Sequence, residues 1–509
     1  MNKHEGLSPD PLRRAERGER PETSISYSVL GPVAIIPRHL TRQAKTEDIL
    51  LLSASHEIPP WRESSHTTRR TSMDPLKQQL IAGKYIVGID PAKKKHQAVI
   101  LTPDGLQLGK SFCFDVSYEG YSNTLWKKVT FLVPNCNPEN IVFAIETSCN
   151  LWMTLAFYLK AEGYTVVMVS PLTTHLSRPM AKHDFSRTDP KDALLVASNA
   201  HHGNFDLYQE YSSSTNAMHR LGITYDKLRK ELAQNRARLR AALEHLFPEF
   251  LTILEPDTQT AHYLLKRYLF PQEFIAMDRE REAKAITAIS RHQHGMNTLL
   301  QLQHLAQRSI GVVKTLEECP AERLTVNCWL ALIETLTAQI ETIFSALVSL
   351  AQQLPEYDFL RSLKGVSHLS AALFLAEVRD IHRFRHYKQI QKNAGLNLRL
   401  SQSGQYVGAR HIAHIGNRRL QWLLYCMAEE TAKWIPEVRI KFLRRQLKSS
   451  KYRKNIIAST SSLLKLIMVL VKEQRPYQMR SETLDQMRAL ELQVAQRKEE
   501  RQKQKKHAA

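Results

Sequence analysis

The stretch 85-YIVGIDPAKKKHQAVIL-101 decides the fold, because it holds two short apolar runs separated by a polar turn. The runs 85–90 and 96–101 predict two buried strands. The turn 102-TPDG-105 follows, and 108-LGKSFCFDV-116 predicts a third strand. Three strands in sequence therefore open the first patterned part of the chain.

Helices and strands then alternate. A helix-like stretch over 118–133 precedes the fourth strand, 141-IVFAIET-147, and a helix over 151–163 precedes the fifth strand over 164–171. Another helix begins within 187-RTDPKDALLVA-197. Three strands followed by helix–strand alternation indicate an α/β fold with a mixed sheet. The order matches the ribonuclease-H-like (RuvC-like) fold.

Four acidic residues fall at informative places in this layout. Asp90 ends the first strand and Glu146 lies near the end of the fourth, and each interrupts an apolar run where an unpaired carboxylate is costly. Asp189 and Asp192 are three apart on one helix face. Since ligand crevices in open α/β sheets lie at the carboxyl ends of strands, we expect the four carboxylates to converge.

A shared cation is the partner that such a cluster calls for. Oxygen-only ligands suit Mg²⁺ or Mn²⁺, and two ions about 4 Å apart can activate a nucleophile and stabilise the leaving oxygen of a phosphodiester. Simpler interpretations exist: Asp90 as a turn residue before a proline, Glu146 as a helix-entry acid, and Asp189 as an N-cap with Asp192 three residues later. All of these holding together, in this order, is the weaker account.

The charge predicts a polyanionic partner. The 509-residue chain has a formal net charge of +21, and residues 379–454 contain 18 Lys and Arg against 4 Asp and Glu. Cations interleaved with aromatics offer phosphate contact plus base stacking, although a solvated basic face over core aromatics would look similar. The aromatic residues of this segment are Phe384, Tyr387, Tyr406, Trp422, Tyr425, Trp434, Phe442 and Tyr452.

Membrane and disulfide-rich classes are disfavoured. The longest apolar run, 463-LLKLIMVLV-471, is too short to span a bilayer, and the N-terminus lacks a signal-peptide core. The six cysteines are scattered without a CxxC pair, so neither a zinc ribbon nor a disulfide framework is indicated. A cytoplasmic protein with no membrane partner is expected.

Five regions are predicted along the chain. The first, with seven prolines and no periodicity, reads as disordered, although a mis-assigned start before Met73 would look the same. The regions are a disordered extension over 1–72, a catalytic α/β domain over 73–210, a helical coiled-coil segment over 211–356, a mostly helical C-terminal domain over 357–477 and a charged helical tail over 478–509.

Two seams at coiled-coil spacing cross the third region. Two antiparallel arms of one chain or a dimer contact would both satisfy them. The first seam is Leu221, Tyr225, Leu228, Leu232, Asn235, Leu239, Ala242 and Leu246, and the second is Ile333, Leu336, Ile340, Ile343, Leu347, Leu350 and Leu354.

The motifs VGIDPAK, AIETS and RTDPKDALLVA resemble the RuvC-like DEDD domain of insertion-sequence transposases of the "one-ten" family, relatives of the pilin-gene invertase. The resemblance spans about residues 84–435, with Arg187 where the family commonly has Lys. It implies a catalytic, Mg²⁺-binding tetrad of Asp90, Glu146, Asp189 and Asp192. It also implies donor and target DNA, a noncoding bridge RNA that guides their pairing, a homo-oligomer (dimer or tetramer) and location at the bacterial nucleoid.

A C-terminal transposase domain is implied as well. The stretch 360-LRSLKGVSHLSAALFLAEV-378 resembles its opening helix-hairpin-helix, with Ser367 where the family usually has a second glycine; a purely structural hairpin is the alternative. In 394-AGLNLRLSQSGQYVGARHIAHIGNRRLQWLLY-425, composition alone favours a surface turn. The family order AGL, Ser-Gly, Gly-Asn-Arg instead selects Ser403 as nucleophile, or Ser401 if the register is off by two.

Cations around this block are candidates for nucleic-acid binding. A serine alkoxide needs a base or a cation, which the acid cluster could supply, and arginines can neutralise charge that builds up on phosphate. The family's usual Lys near this point is His414 here. The candidate nucleic-acid-binding residues are Lys388, Lys392, Arg399, Arg410, Arg418 and Arg419.

The sequence thus predicts a DNA transposase or site-specific recombinase that uses a metal-bound acidic tetrad and a serine. A metal-dependent junction-resolving nuclease with water as nucleophile is the alternative, and it would keep cutting after Ser403→Ala. A noncatalytic nucleic-acid-binding scaffold would bind DNA without magnesium-dependent chemistry.

Overall fold

The computed structural model describes residues 75–148, 150–180, 188–311, 320–399, 402–403, 406–408, 411–413, 415–449 and 451–507. The chain forms two compact units, and the boundary between them along the chain falls between Glu210 and Tyr211. The predicted disordered extension over 1–72 lies outside the described residues.

The first unit is built on a mixed sheet of six strands. Their order across the sheet is β3-β2-β1-β4-β5-β6; β1 pairs parallel with β4 and β4 with β5, whereas the β1–β2, β2–β3 and β5–β6 pairs are antiparallel. The strands are β1 (Tyr85–Asp90), β2 (Lys95–Leu101), β3 (Gln107–Asp115), β4 (Ile141–Glu146), β5 (Thr165–Val169) and β6 (Asp206–Leu207).

Helices connect and cover these strands. The helices are α1 (Pro75–Ile81), α2 (Leu125–Leu132, after a π-helical turn Gly120–Thr124), α3 (Met153–Ala161), α4 (Pro171–Ser177, continued by a 3-10 turn Arg178–Met180) and α5 (Asp189–His201). The predicted mixed α/β architecture is confirmed, and the strand order is consistent with a ribonuclease-H-like domain. The two-residue β6 was not predicted, because so short an edge strand has no pattern of its own.

Alternation along the strands divides the core into two layers. Ile86 and Val142 face one layer, which includes Ala197 of α5, whereas Val87 and Ile89 face the opposite layer with helices α2 and α3. Asp90 is two residues beyond Gly88 and four beyond Ile86, so β1 places it on the α5 side. The same period applies along β4.

The second unit begins with two long helices that pack antiparallel. The first half of α6 (Ser213–Leu246) shares a buried cluster with the end of α12 (Pro320–Ala351), and the second half of α6 shares another with the start of α12. Both predicted seams are therefore used within one chain. The polar position Asn235 donates to the Glu231 carbonyl in its own helix. Between these arms lie α7 (Phe250–Ile253), α8 (Gln259–Leu265), α9 (Pro271–Ile275), α10 (Arg279–Ile289) and α11 (Met296–Gln307).

The remainder of this unit is mostly helical, as predicted. Its core surrounds α18, whose Leu463, Leu464 and Ile467 are buried. The elements are α13 (Pro355–Arg361), α14 (His368–Val378), α15 (Tyr387–Asn393), β7 (Leu398–Arg399), β8 (Gln402–Ser403), β9 (Tyr406–Val407), β10 (His411–Ile412), α16 (Arg418–Thr431), α17 (Pro436–Lys448), α18 (Tyr452–Glu473) and α19 (Ser481–His507).

Two helices reach the length and apolar character of a membrane span, residues 321–351 and 452–473. Each has a packing role in this fold: the first is the arm paired with α6, and the second is the central helix of the C-terminal core. A core helix passes the same test of length and composition, so the two helices do not by themselves indicate a membrane protein.

Candidate functional site

Strand pairing sets two of the predicted acids side by side. Ile89 of β1 is paired with Ile145 of β4 in a parallel register, so the next residues, Asp90 and Glu146, end neighbouring strands. Each acid lies two residues beyond a small residue, Gly88 or Ala144, on the α5-facing side of its strand, and both acids are half-buried. The carboxyl ends of these two central strands thus carry two acids on one face of the sheet.

Close packing brings the other two acids to this face. A Cβ built on Gly88 would lie only 2.5 Å from the Ala197 Cβ, so α5 crosses β1 where the strand has no side chain. The first turn of α5 contains Asp189 and Asp192. The N-cap is Thr188, so the interpretation of Asp189 as the N-cap is wrong by one residue.

The acids share one electrostatic environment. Burial, followed by the negative charges of Glu146, Asp192 and Asp189, raises the pKa of Asp90 to about 7. Burial also raises the pKa of Glu146, and the charge of Asp192 adds to the rise. Among the described residues, the acids therefore raise one another's pKa, and burial adds to the effect.

Arg178 is the cation that partly offsets this charge, and sequence analysis missed it. Its Nη2 and Nε donate to the same oxygen of Asp192, Oδ1, at 2.6 and 3.2 Å. Both side chains are largely buried, at 14% and 18% exposure. The charge of Arg178 also lowers the pKa of both Asp90 and Glu146. Its signal was weak, because Arg178 lies 14 residues before Asp192 in an unremarkable stretch.

Thr174 of α4 adds a polar atom to the site. Its hydroxyl lies against the Glu146 carboxylate and lowers the pKa of that group. Among the described residues, however, the buried Oγ1 meets no partner at full hydrogen-bond geometry. The site therefore contains a buried oxygen that still needs a partner.

The donor set suits a hard divalent cation by its chemistry: four carboxylates, excess negative charge and an unsatisfied hydroxyl oxygen. In the arrangement described, no three His, Cys, Asp or Glu side chains lie close enough together to hold a metal ion. The guanidinium of Arg178 instead occupies an oxygen of Asp192. The residue types are thus those that bind Mg²⁺ or Mn²⁺. Their side chains have to move closer together before they can share an ion.

His96 organises the turn that follows Asp90. Its Nδ1 accepts the Ala92 amide at 3.1 Å, so Nε2 carries the proton and donates to the Tyr121 hydroxyl at 2.9 Å. Burial lowers the pKa of His96 to about 4, which keeps the ring neutral. Since Ala92 is two residues after Asp90, this contact anchors the backbone of the acid. The only sequence signal was a histidine inside an apolar strand.

The second unit carries the predicted nucleophile on a β-hairpin. The inner pair Ser403–Tyr406 and the outer pair Arg399–His411 belong to nested two-stranded ladders whose register differs by one residue. Ser403 is the last residue of β8. Ser401, Gly404, Arg410 and His414, which the sequence also singled out, lie outside the described residues.

Two glycines close the base of this hairpin. A Cβ on Gly416 would lie 2.5 Å from the Asn393 carbonyl oxygen, and one on Gly395 would lie 3.1 Å from the Ile415 backbone. The Asn417 amide donates to the Asn393 carbonyl at 2.7 Å. The motifs AGL (394–396) and GNR (416–418) therefore meet where α15 ends and α16 begins.

The candidate nucleic-acid-binding cations fall into two kinds. Arg419 is bonded within the protein: its Nε donates to Glu377 Oε1 at 2.7 Å, and the side-chain Nδ2 of Asn417 donates to the other oxygen at 2.5 Å. Glu377 is 3% exposed, so this pair anchors α16 on α14. The other described candidates, Lys388, Lys392, Arg399 and Arg418, are exposed.

The predicted helix-hairpin-helix consists of α13, a turn and α14. Gly365 has φ +101°, and a Cβ there would press on the Glu430 backbone at 3.0 Å. Ser367, at the position of the missing second glycine, is the N-cap of α14 and its Oγ accepts from the Ser370 amide at 3.1 Å. The substitution is therefore accounted for by capping.

Comparison with known proteins agrees with these features. The DEDD transposase model of IS110 elements matches residues 87–248, and a second model, "Transposase IS116/IS110/IS902 family", matches residues 357–442. An uncharacterized 44.8 kDa protein of the insertion element IS116 from Streptomyces clavuligerus is 24% identical over 362 residues, covering 69% of this chain and 85% of that protein.

Both units thus define a transposase, an enzyme class that cuts and joins DNA. Within that class, the chain belongs to the IS110 family of insertion-sequence transposases, as the "one-ten" resemblance indicated.

Proposed function

We propose that this transposase cuts and rejoins DNA with a divalent-metal tetrad, Asp90, Glu146, Asp189 and Asp192, and with the Ser403 hydroxyl as nucleophile. The observation that supports the metal part is the shared electrostatic environment of the four acids: burial first, and then the negative charges of Glu146, Asp192 and Asp189, raise the pKa of Asp90 to about 7. Mg²⁺ or Mn²⁺ bound there, as two ions, would stabilise an attacking oxygen and a leaving oxygen.

The protein's own groups have separate tasks in this scheme. Asp90 and Glu146 present carboxylates from adjacent strand ends, and α5 supplies the aspartate pair. The contact of His96 with the Ala92 amide fixes the backbone behind Asp90. The tetrad is thereby held on regular elements, which keeps its geometry tighter than loops would.

The serine step is a transesterification. The Ser403 oxygen attacks a DNA phosphorus and loses its proton, a P–O bond to the sugar breaks, and the sugar oxygen leaves as a hydroxyl. The phosphoserine ester keeps the phosphodiester energy, so attack by a second DNA hydroxyl rejoins the strand and releases serine. Support comes from the position of Ser403 at the end of β8, paired with Tyr406 of β9, and at the Ser-Gly motif of the family.

Partners follow from charge and family. Exposed cations on α15, β7 and the start of α16 provide phosphate contacts for donor and target DNA. A guiding bridge RNA, assembly as a dimer or tetramer, and action in the cytoplasm at the nucleoid are proposed from the family resemblance.

The test is to trap the protein–DNA adduct on cognate element ends and locate the modified residue by mass spectrometry. We expect the adduct on Ser403, its loss in Ser403→Ala, and its retention in the matched variant Ser401→Ala. Adduct formation that survives Ser403→Ala and disappears with Ser401→Ala would move the nucleophile by two residues. Cleavage that continues in both variants without an adduct would indicate a hydrolytic nuclease.

A further inference from the structure

The positive charge of Arg178 lies in the acid cluster, where a metal cation would also bind. It is directed at the acid cluster from the 3-10 turn after α4, and two of its nitrogens share a single oxygen, Asp192 Oδ1. Among the described residues, it is the one cation whose charge lowers the pKa of both Asp90 and Glu146. Its single positive charge therefore acts on three acids, Asp90, Glu146 and Asp192.

The same contact accounts for acids that have the right chemistry for a metal but are not yet arranged around one. Asp192 would help to hold a divalent ion at this site, and its Oδ1 already accepts two hydrogen bonds from Arg178. A guanidinium next to a bound divalent ion is repelled by it, because both are positive and little water lies between them at 14% exposure.

We propose that Arg178 is the resident counterion of the metal-free acid cluster, and that a divalent ion displaces its guanidinium from Asp192 when it binds. The inference rests on the proposed metal site and adds a competitor built into the chain. Arg178 thereby stabilises the free enzyme and weakens metal binding, so that only an adequate divalent-ion concentration assembles the tetrad. The buried Thr174 hydroxyl, beside Glu146, is free to gain a partner in the rearranged site.

Mn²⁺ titration of the full chain tests the competition without measuring catalysis. We expect Arg178→Gln to bind Mn²⁺ roughly tenfold more tightly than the wild type by calorimetry or electron paramagnetic resonance, since one nearby positive charge is gone. Arg178→Lys keeps the charge and should bind close to wild type. The matched control is Lys95→Gln, which removes one positive charge from an exposed pair with Asp115 and should leave affinity unchanged.

Opposite results separate the two claims. Equal or weaker Mn²⁺ binding by Arg178→Gln would overturn the counterion role, because Arg178 would then orient Asp192 in the loaded site. Failure of the wild type and of Arg178→Gln alike to bind Mn²⁺ would remove the metal site itself and this inference with it.

A second measurement covers the case in which Arg178→Gln does not fold. In the wild type, the Arg178 Nε–H should give an exchange-protected nitrogen–proton resonance, identified by its disappearance in Arg178→Lys. Addition of Mg²⁺ should remove this protection and shift the resonance toward that of an exposed arginine. An unchanged resonance at saturating Mg²⁺ would contradict displacement.

Discussion

Each unit of the protein contains a shielded arginine–carboxylate pair, and the two pairs differ in what surrounds them. Both carboxylate oxygens of Glu377 accept hydrogen bonds, from Arg419 and from the side-chain amide of Asn417. The hydrogen-bonding capacity of this carboxylate is therefore satisfied. Asp192 is bonded to Arg178 through Oδ1, and the charge of the same arginine also acts on Asp90 and Glu146. The ratio of acids to cations therefore separates a structural clamp from a candidate reaction site.

The largest effect should come from the site with excess acid. Asp90→Asn removes a carboxylate from the proposed tetrad, so we expect DNA strand cleavage to fall by about a thousandfold, which corresponds to several kcal/mol of lost charge stabilisation. Cleavage of cognate ends at saturating Mg²⁺ measures this. A loss below tenfold would place Asp90 outside the reaction and break the contrast between the two pairs.

The satisfied pair should instead govern folding. Glu377→Gln leaves Arg419 without its counter-charge at the junction of α14 and α16, so we expect the free energy of unfolding to drop by about 3 kcal/mol. Urea denaturation of the helical unit reports it. Glu430→Gln is the matched control, because Glu430 forms an exposed pair with Lys433 that should contribute under 1 kcal/mol. Similar losses in both variants would show that burial of the pair has no special weight.

Two glycine-to-alanine variants, one in each unit, test how tightly the helices of the two units pack. Gly88→Ala forces a methyl group into α5, 2.5 Å from the Ala197 backbone nitrogen, and should destabilise the sheet unit by about 2 kcal/mol. Gly222→Ala in α6 meets only ordinary contacts at 3.5 Å and should stabilise its helix by about 0.5–1 kcal/mol. Thermal unfolding of the two variants gives the signs. A stable Gly88→Ala protein would mean that α5 can retreat from β1.

The smallest effect is a pH dependence of the metal-free protein. The folded-state pKa of Asp90 is raised to about 7 from 3.8, so ionised Asp90 costs stability at pH 7 and above. That cost disappears as pH falls toward 4 and the folded state takes up a proton. With EDTA present, Asp90→Asn should therefore be more stable than wild type by about 1 kcal/mol at pH 8, after allowance for solvent screening. The two proteins should converge near pH 4; a constant difference across this range would contradict the raised pKa.

The sequence by itself determined the first five strands of the sheet, their order of appearance and the four acids. Apolar runs such as YIVGID and IVFAIE predict strands because a buried strand must exclude polar side chains, and an acid at the end of such a run stands out. The seams of α6 and α12 were equally legible, although their spacing left open whether the partner was the same chain or a second copy.

Only the tertiary structure decided the partners. Arg178 reaches Asp192 because α4 and α5 pack together, and Arg419 reaches Glu377 because α14 and α16 do; nothing in the local sequence distinguishes these arginines from exposed Arg418. Capping likewise depends on backbone angles, which make Thr188 rather than Asp189 the N-cap of α5. Periodicity reports which face of an element is buried, whereas the charge that compensates a buried acid comes from wherever the fold brings the chain back.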